Sequence, residues 1–239
     1  MFYFLIAPIL TYNVFLIAAA VVPAIFLMVK VYRSDRLEKE STQLLWSMVQ
    51  AGIMSALIAL LSERIFCSVL NASVTENETL YNVLLYFVVV ACSEEGAKYF
   101  MLRRTSWNSR EFNCQYDGVV YAVFVSLGFA LWENISYVMH YGFATAVVRA
   151  VTAIPGHTCF GVFMGVFYGM ARKAEYAGAH DQARVYNILS VLIPVLLHGA
   201  YDYIASTSTN AMYFLVFIVL LFLLAYRMVV INSRSDQYI

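Results

Sequence analysis

The stretch YNVLLYFVVVACSEEGAKYFML, residues 81–102, decides the fold. It is apolar over about the 20 residues that a helix needs to cross a bilayer. Yet it carries Glu94, Glu95 and Lys98. An acidic side chain near the bilayer centre costs roughly 2.5–3.5 kcal/mol on insertion scales. Two in a row, with a lysine one turn later, imply a helix that turns its charges into a bundle and away from lipid. Later apolar segments supply partners: Glu133, His157, and the pair His198 and Asp202.

The rest of the chain agrees. Of its 239 residues, 62% are hydrophobic and 13% charged, far from the soluble balance of about 45–50% apolar and about 25% charged. The fold expected is all-α, a polytopic membrane bundle of about seven transmembrane helices. The spans fall near 5–29, 45–69, 81–102, 117–139, 143–171, 186–206 and 211–231. No basic residue precedes Lys30, and the first apolar run is too long for a signal-peptide core, so it reads as a retained span.

Charge in the loops sets the orientation. Arg33, Arg36 and Lys39 follow the first span, Arg103, Arg104 and Arg110 the third, Arg172, Lys173 and Arg184 the fifth, and Arg227 and Arg234 end the seventh. The alternate loops, including NASVTENETL at 71–80 and STSTN at 206–210, have no Lys or Arg. The positive-inside rule then puts the N-terminus outside and the C-terminus in the cytosol. Formal net charge is zero and there is no basic patch, which argues against a nucleic-acid partner. The lipid bilayer is the constant partner, and oligomeric state is left open. No loop is long enough for a separate soluble domain. Residues 1–239 therefore read as one transmembrane domain whose function lies among its helices. Cys67, Cys92, Cys114 and Cys159 show no metal spacing, and their positions in spans and a basic loop argue against disulfides.

Four spans carry ionisable groups near mid-depth. Glu94 and Glu95 lie four and three residues before Lys98, which brings all three to one helical face. Two carboxylates this close cannot both ionise cheaply in low dielectric, an arrangement suited to general acid–base work. In DGVVYAVFVSLGFALWENISYV, residues 117–138, Phe129 stands one turn before Glu133, and Asn134 follows. In IPGHTCFGVFMGVFYG, residues 154–169, His157 heads a stripe with Gly161, Gly165 and Gly169. Such a stripe lets helices approach closely, so His157 should face a neighbour. Pro155 and Gly156 are expected to loosen the turn before it, and Arg149 to meet a carboxylate or the interface. In LLHGAYDYIA, residues 196–205, His198 and Asp202 share a face, where the carboxylate can orient the imidazole or co-ligate a metal. Glu63 and Arg64 read as an interfacial pair. Each residue alone could be a packed polar group or a helix-end cap; four helices doing this together are harder to explain so. One mismatch remains. By these boundaries Glu94 lies towards the cytosol and Glu133 and Asp202 towards the outside, a gap that a tilted or broken helix would have to close.

The ordered set EExxK, FxxxE, a histidine in PGH and HxxxD resembles the PrsW family of intramembrane proteases, distantly similar to CAAX prenyl endopeptidases and bacteriocin-processing membrane proteases. The resemblance covers about residues 85–205. It implies an endopeptidase that cuts membrane-anchored proteins in a bacterial plasma membrane, with stress signalling through the first cut of an anti-sigma factor as the best-known role. It implies active-site residues at Glu94, Glu95, Glu133, His157, His198 and Asp202, supported by Lys98, Phe129 and Asn134. CAAX-type relatives carry histidine where this chain has Glu133, which points away from a prenylated substrate.

The expected mechanism has one glutamate of the pair, helped by a histidine, deprotonate a water that attacks a peptide carbonyl. The oxyanion would be met by imidazolium, by Asn134 or by a metal. No cofactor is assured. Glu133, His157, His198 and Asp202 could ligate zinc, which takes three protein ligands and an open position in catalytic sites. The compact HExxH spacing is absent, so metal-free glutamate chemistry is preferred. Two other classes fit the residue types: a proton- or cation-coupled transporter and a haem protein using His157 and His198. The absence of repeated halves counts against the first, and carboxylates beside an apolar ring count against the second.

Overall fold

The structure is a computed structural model that describes residues 2–74 and 76–239, with side chains from residue 13 onward. Residue 75, in the loop at 71–80, and the side chains that open the first expected span lie outside the described residues. The chain runs through α1 (Phe2–Ser34), α2 (Thr42–Ser73), α3 (Glu78–Val83), a π-helical stretch (Leu84–Ala91), α4 (Cys92–Ser106), α5 (Asp117–Tyr141), α6 (Phe143–Val151), α7 (Ala153–Tyr176), α8 (His180–Thr207) and α9 (Ala211–Arg234). Among the described residues, seven spans are long and apolar enough to cross a membrane, with α3 to α4 forming the third and α6 to α7 the fifth. Among the described residues there is no strand.

Helix α5 is the axis of the bundle. Every residue from Asp117 to Ala130 is buried, as expected of a helix that is apolar all round. It packs against α7, α2, α1 and α4. Small residues make this possible. A methyl built on Gly165 would come within 2.5 Å of the Gly118 carbonyl oxygen, and one on Gly161 within 2.8 Å of Ser126 Oγ. Gly52 and Gly128 bring α2 equally close. The glycine stripe after His157 therefore presses α7 onto α5, and His157 faces a neighbouring helix as its place in that stripe predicts.

Two irregularities set the depth of the functional groups. The third span widens into the π-helical stretch just before Glu94. Its i→i+5 pattern advances less per residue than an α-helix. With 29 residues in that span, the glutamates reach the level of the later partners, which closes the mismatch left by the sequence. The fifth span breaks at Thr152, whose φ of −119° and ψ of −73° separate α6 from α7. Pro155 and Gly156 do not loosen the turn as expected. They sit in the first turn of α7, where proline has no backbone bond to lose, and Gly156 N–H donates to the Thr152 carbonyl at 2.9 Å.

The loop before α5 is tied to the α1–α2 linker and to the C-terminal tail. Ser41 caps α2 and bonds Glu111 through its N–H at 2.8 Å and its hydroxyl at 2.9 Å. The C-terminal tail lies along the loop before α5, with Ile239 N–H on the Asn113 carbonyl at 2.8 Å and Gln115 N–H on Gln237 at 3.2 Å. Asp35 and Glu40, between α1 and α2, are buried. That burial pushes both carboxyls above the usual range.

Candidate active site

Glu94 and Glu95 occupy the first turn of α4, and Lys98 follows on the same face. The Lys98 ammonium is fully buried. It donates to Glu95 Oε1 at 2.8 Å and Glu94 Oε2 at 3.2 Å, and it lies 4.0 Å from the centre of the Phe129 ring. Its third polar neighbour is His157 Nδ1, at 3.2 Å. An ammonium has only protons to offer, so Nδ1 is the acceptor and His157 carries its proton on Nε2. That N–H points at Glu133 Oε2, 2.8 Å away.

Glu133 is gripped from a second side. Arg149, on α6, reaches its Oε2 at 2.8 Å. Arg149 Nε donates to Asn134 Oδ1 at 2.8 Å, and Asn134 Nδ2 donates to the Ala20 carbonyl at 2.9 Å. The break at Thr152 lets α6 turn so that Arg149 meets a carboxylate, one of the two roles its sequence position allows.

Helix α8 brings the last pair. His198 Nδ1 donates to Glu95 Oε1 at 2.8 Å and lies 3.9 Å from Glu94 Oε2. Its Nε2 is 3.4 Å from Asp202 Oδ2. Phe160 stacks on the imidazole at 4.7 Å, and the two histidine rings stand edge to face at 5.5 Å. Pro194, one turn before His198, removes a backbone bond from α8.

A cavity of about 810 Å³ opens beside this network. Glu94, Glu133, His157, His198 and Asp202 line it, together with Arg149 and Glu63. Glu95 and Lys98 lie behind that wall, fully buried. All six candidate residues thus meet, in two layers: a wall that substrate could touch and a charged base beneath it. The sequence misread Glu63. It faces the cavity, one turn beyond Ala59 and Leu60, which line the same wall. The spacing of Ala56, Ala59 and Glu63 along one helical face was the available signal. Asn134 sits in the wall's support, bonded to Arg149 and Ala20, and does not line the cavity. Nitrogens of both histidines are engaged by Lys98, Glu133 and Glu95, which counts against haem ligation.

Donor atoms of Glu94, Glu95 and His157 lie within 4.8 Å of one another. Carboxylates and imidazole are ligand types that suit zinc, and Glu95 Oε2 is a buried oxygen with no partner. By donor type this triplet fits a divalent ion. By charge, its place is taken: the Lys98 ammonium lies within 3.2 Å of the same three side chains. The ligand set suggested by the sequence is arranged instead as two pairs, His157 with Glu133 and His198 with Asp202.

Known proteins resemble this chain over most of its length. A family model described as PrsW family intramembrane metalloprotease matches residues 40–226. Protease PrsW of Oceanobacillus iheyensis is 31% identical over 92% of this chain and 97% of its own length. Protease PrsW of Bacillus subtilis is 32% identical over 84% of this chain and 87% of its own, and that of Clostridioides difficile 31% over 77% and 76%. No solved structure matches the chain. With the EExxK, FxxxE, PGH and HxxxD residues gathered at one buried centre and a family match spanning most of its length, the chain belongs to the PrsW family of intramembrane metalloproteases.

Proposed function

We propose that Glu94 is the general base of this intramembrane peptidase and that its substrate is a single-span, membrane-anchored protein. The observation that carries this reading is the cavity wall, where Glu94 stands beside His157, His198 and Asp202 while Lys98 and Glu95 hold it from behind. A peptide bond enters the cavity with a water against Glu94. Glu94 takes a proton as the water oxygen bonds to the carbonyl carbon. The developing oxyanion is met by the Arg149 guanidinium, which lines the cavity, while the His157 Nε2–H stays on Glu133. As the C–N bond breaks, the leaving amine takes the proton held by Glu94. Glu95 orients His198, and Asp202 fixes its other nitrogen. Lys98 sets the charge of the glutamate pair and the tautomer of His157. Glu94, Glu95 and His157 are the residues that would hold a metal, and an ion that displaced the Lys98 ammonium there would supply Lewis acidity.

Residues 1–239 act in this proposal as one catalytic unit in a bacterial plasma membrane, N-terminus outside and C-terminus in the cytosol. The family likeness suggests an anti-sigma factor as substrate, cut first in a stress response. Co-expression with tagged single-span candidates tests the reading. Wild type should cut one of them and Glu95→Gln should not. Equal cutting by both would remove Glu95 from the mechanism. No cutting by either, with proton or cation flux in liposomes, would favour a transporter.

A further inference from the structure

A second set of buried acids lies at the far end of α5. Asp35 and Glu40 come from the linker between α1 and α2, and Asp117 opens α5. Along the helix Asp117 is about 24 Å from Glu133, at 1.5 Å per residue, so this set is separate from the active site. One carboxylate oxygen of each acid lies within 4.8 Å of the other two. All three residues are more than nine-tenths buried.

Their bonding is incomplete. Asp117 Oδ2 accepts from the N–H groups of Cys114 at 2.7 Å and Asn113 at 3.1 Å. Both oxygens of Asp35, Oε1 of Glu40 and Oδ1 of Asp117 have no hydrogen-bond partner. Among the described residues, the ion pairs lie elsewhere. Lys39, next in sequence, is committed to the backbone carbonyls of Tyr32, at 2.6 Å, and Asp35. Two phenols face the same spot. Tyr121 lies against Glu40 and Asp117, and Tyr116 against Asp35. Both are almost wholly buried; the Tyr121 hydroxyl stands near Glu40 and the Tyr116 hydroxyl near Ser34, each beyond ordinary hydrogen-bond distance.

A buried polar atom left unpaired costs about 1–3 kcal/mol, and more when charged. Several such oxygens from separate segments, converging with no basic side chain paired to them among the described residues, make the kind of all-oxygen set that hard divalent ions take. We propose that Asp35, Glu40 and Asp117 bind a hard divalent cation of the calcium, magnesium or manganese class, with the Tyr121 hydroxyl as a neutral oxygen nearby. The ion would fasten the α1–α2 linker to the start of α5, the helix that carries Glu133. Its role is to hold the bundle at that end; it takes no part in the chemistry.

The test uses the full chain in phosphatidylcholine nanodiscs after chelator treatment. Terbium is titrated, with its emission excited through tyrosine, and calcium or manganese is then added as competitor. Wild type and Glu95→Gln should show the same saturable emission, displaced by calcium or manganese. Glu40→Gln and Asp35→Asn should each weaken binding about tenfold or more. Calcium should also raise the unfolding temperature of wild type and not of these two variants. The proposal is overturned if wild type gives no saturable emission, as carboxyls holding protons in place of an ion would predict. It is overturned too if Glu95→Gln abolishes the signal, which would put the ion at the active site. Unchanged binding in folded Glu40→Gln and Asp35→Asn has the same force. If both variants fail to fold, the wild-type and Glu95→Gln titrations still decide.

Discussion

Lys98→Met removes an ammonium that bonds Glu95 at 2.8 Å, Glu94 at 3.2 Å and His157 Nδ1 at 3.2 Å. Methionine keeps much of the length and the apolar stem, so the change is chiefly electrical. What stays behind is a pair of buried carboxylates with only His198 near them. Breaking a buried pair by removing one partner costs about 3–5 kcal/mol. Two charge-assisted bonds at about 1.5–3 kcal/mol each give a similar figure. For a chain of this size each kcal/mol moves the unfolding temperature by about 2–4 °C, so a loss of about 6–20 °C is expected. Thermal unfolding of the full chain in nanodiscs reads this directly. Adding Glu95→Gln to Lys98→Met removes one stranded charge and should recover roughly half of the loss, because residues in one network couple. A Lys98→Met protein that unfolds within about 1 °C of wild type would refute the reasoning. So would a double variant less stable than Lys98→Met alone.

Other expectations follow from the same geometry. Gly165→Leu drives a side chain into the Gly118 backbone and should cost about 1–3 kcal/mol or more in thermal unfolding. Gly96→Ala, whose new methyl meets nothing within 4 Å, should leave stability unchanged or raise it by roughly 0.5–1 kcal/mol; the reverse order would discredit the packing of α7 on α5. Cysteines introduced at Asn77 and Ser109 should react with a membrane-impermeant reagent from opposite sides, Asn77 from outside, and a swap inverts the proposed topology. Because Lys98 supplies the positive charge among Glu94, Glu95 and His157, activity should resist chelation. One zinc per chain by elemental analysis, with activity lost on its removal and restored on its return, would assign that place to a metal.

The spans were legible because apolar length and loop charge are local properties, and α5 and α6 begin where the sequence puts the starts of two spans. The four motifs were legible because ionisable residues in apolar helices are costly and therefore informative. What escaped depends on contacts between segments. Nothing local in LLYFVVVA announces a π-helical stretch, which is held by packing of α8, where Gly199 sits against Phe87. Pro155 and Gly156 were expected to loosen the turn before His157, whereas the break lies at Thr152 and both residues sit in the first turn of α7. Glu63 was paired with its neighbour Arg64 when its helical face leads to the cavity. Asp35, Glu40 and Asp117 lie in three unremarkable polar contexts, and only the folded chain brings them together.

The central claim is that Glu94 does the chemistry and that the other carboxylates around it do not substitute. Glu94 and Glu63 line the same cavity, and each can be changed to glutamine with little change in shape. Cleavage of a tagged single-span substrate by purified protein in proteoliposomes compares them directly. The account predicts that Glu94→Gln lowers the single-turnover rate by about 10²–10⁴-fold, the usual contribution of a positioned general base, while Glu63→Gln stays within about tenfold of wild type. A Glu94→Gln enzyme that cuts at near wild-type rate, or a Glu63→Gln enzyme that loses as much as Glu94→Gln, would contradict it.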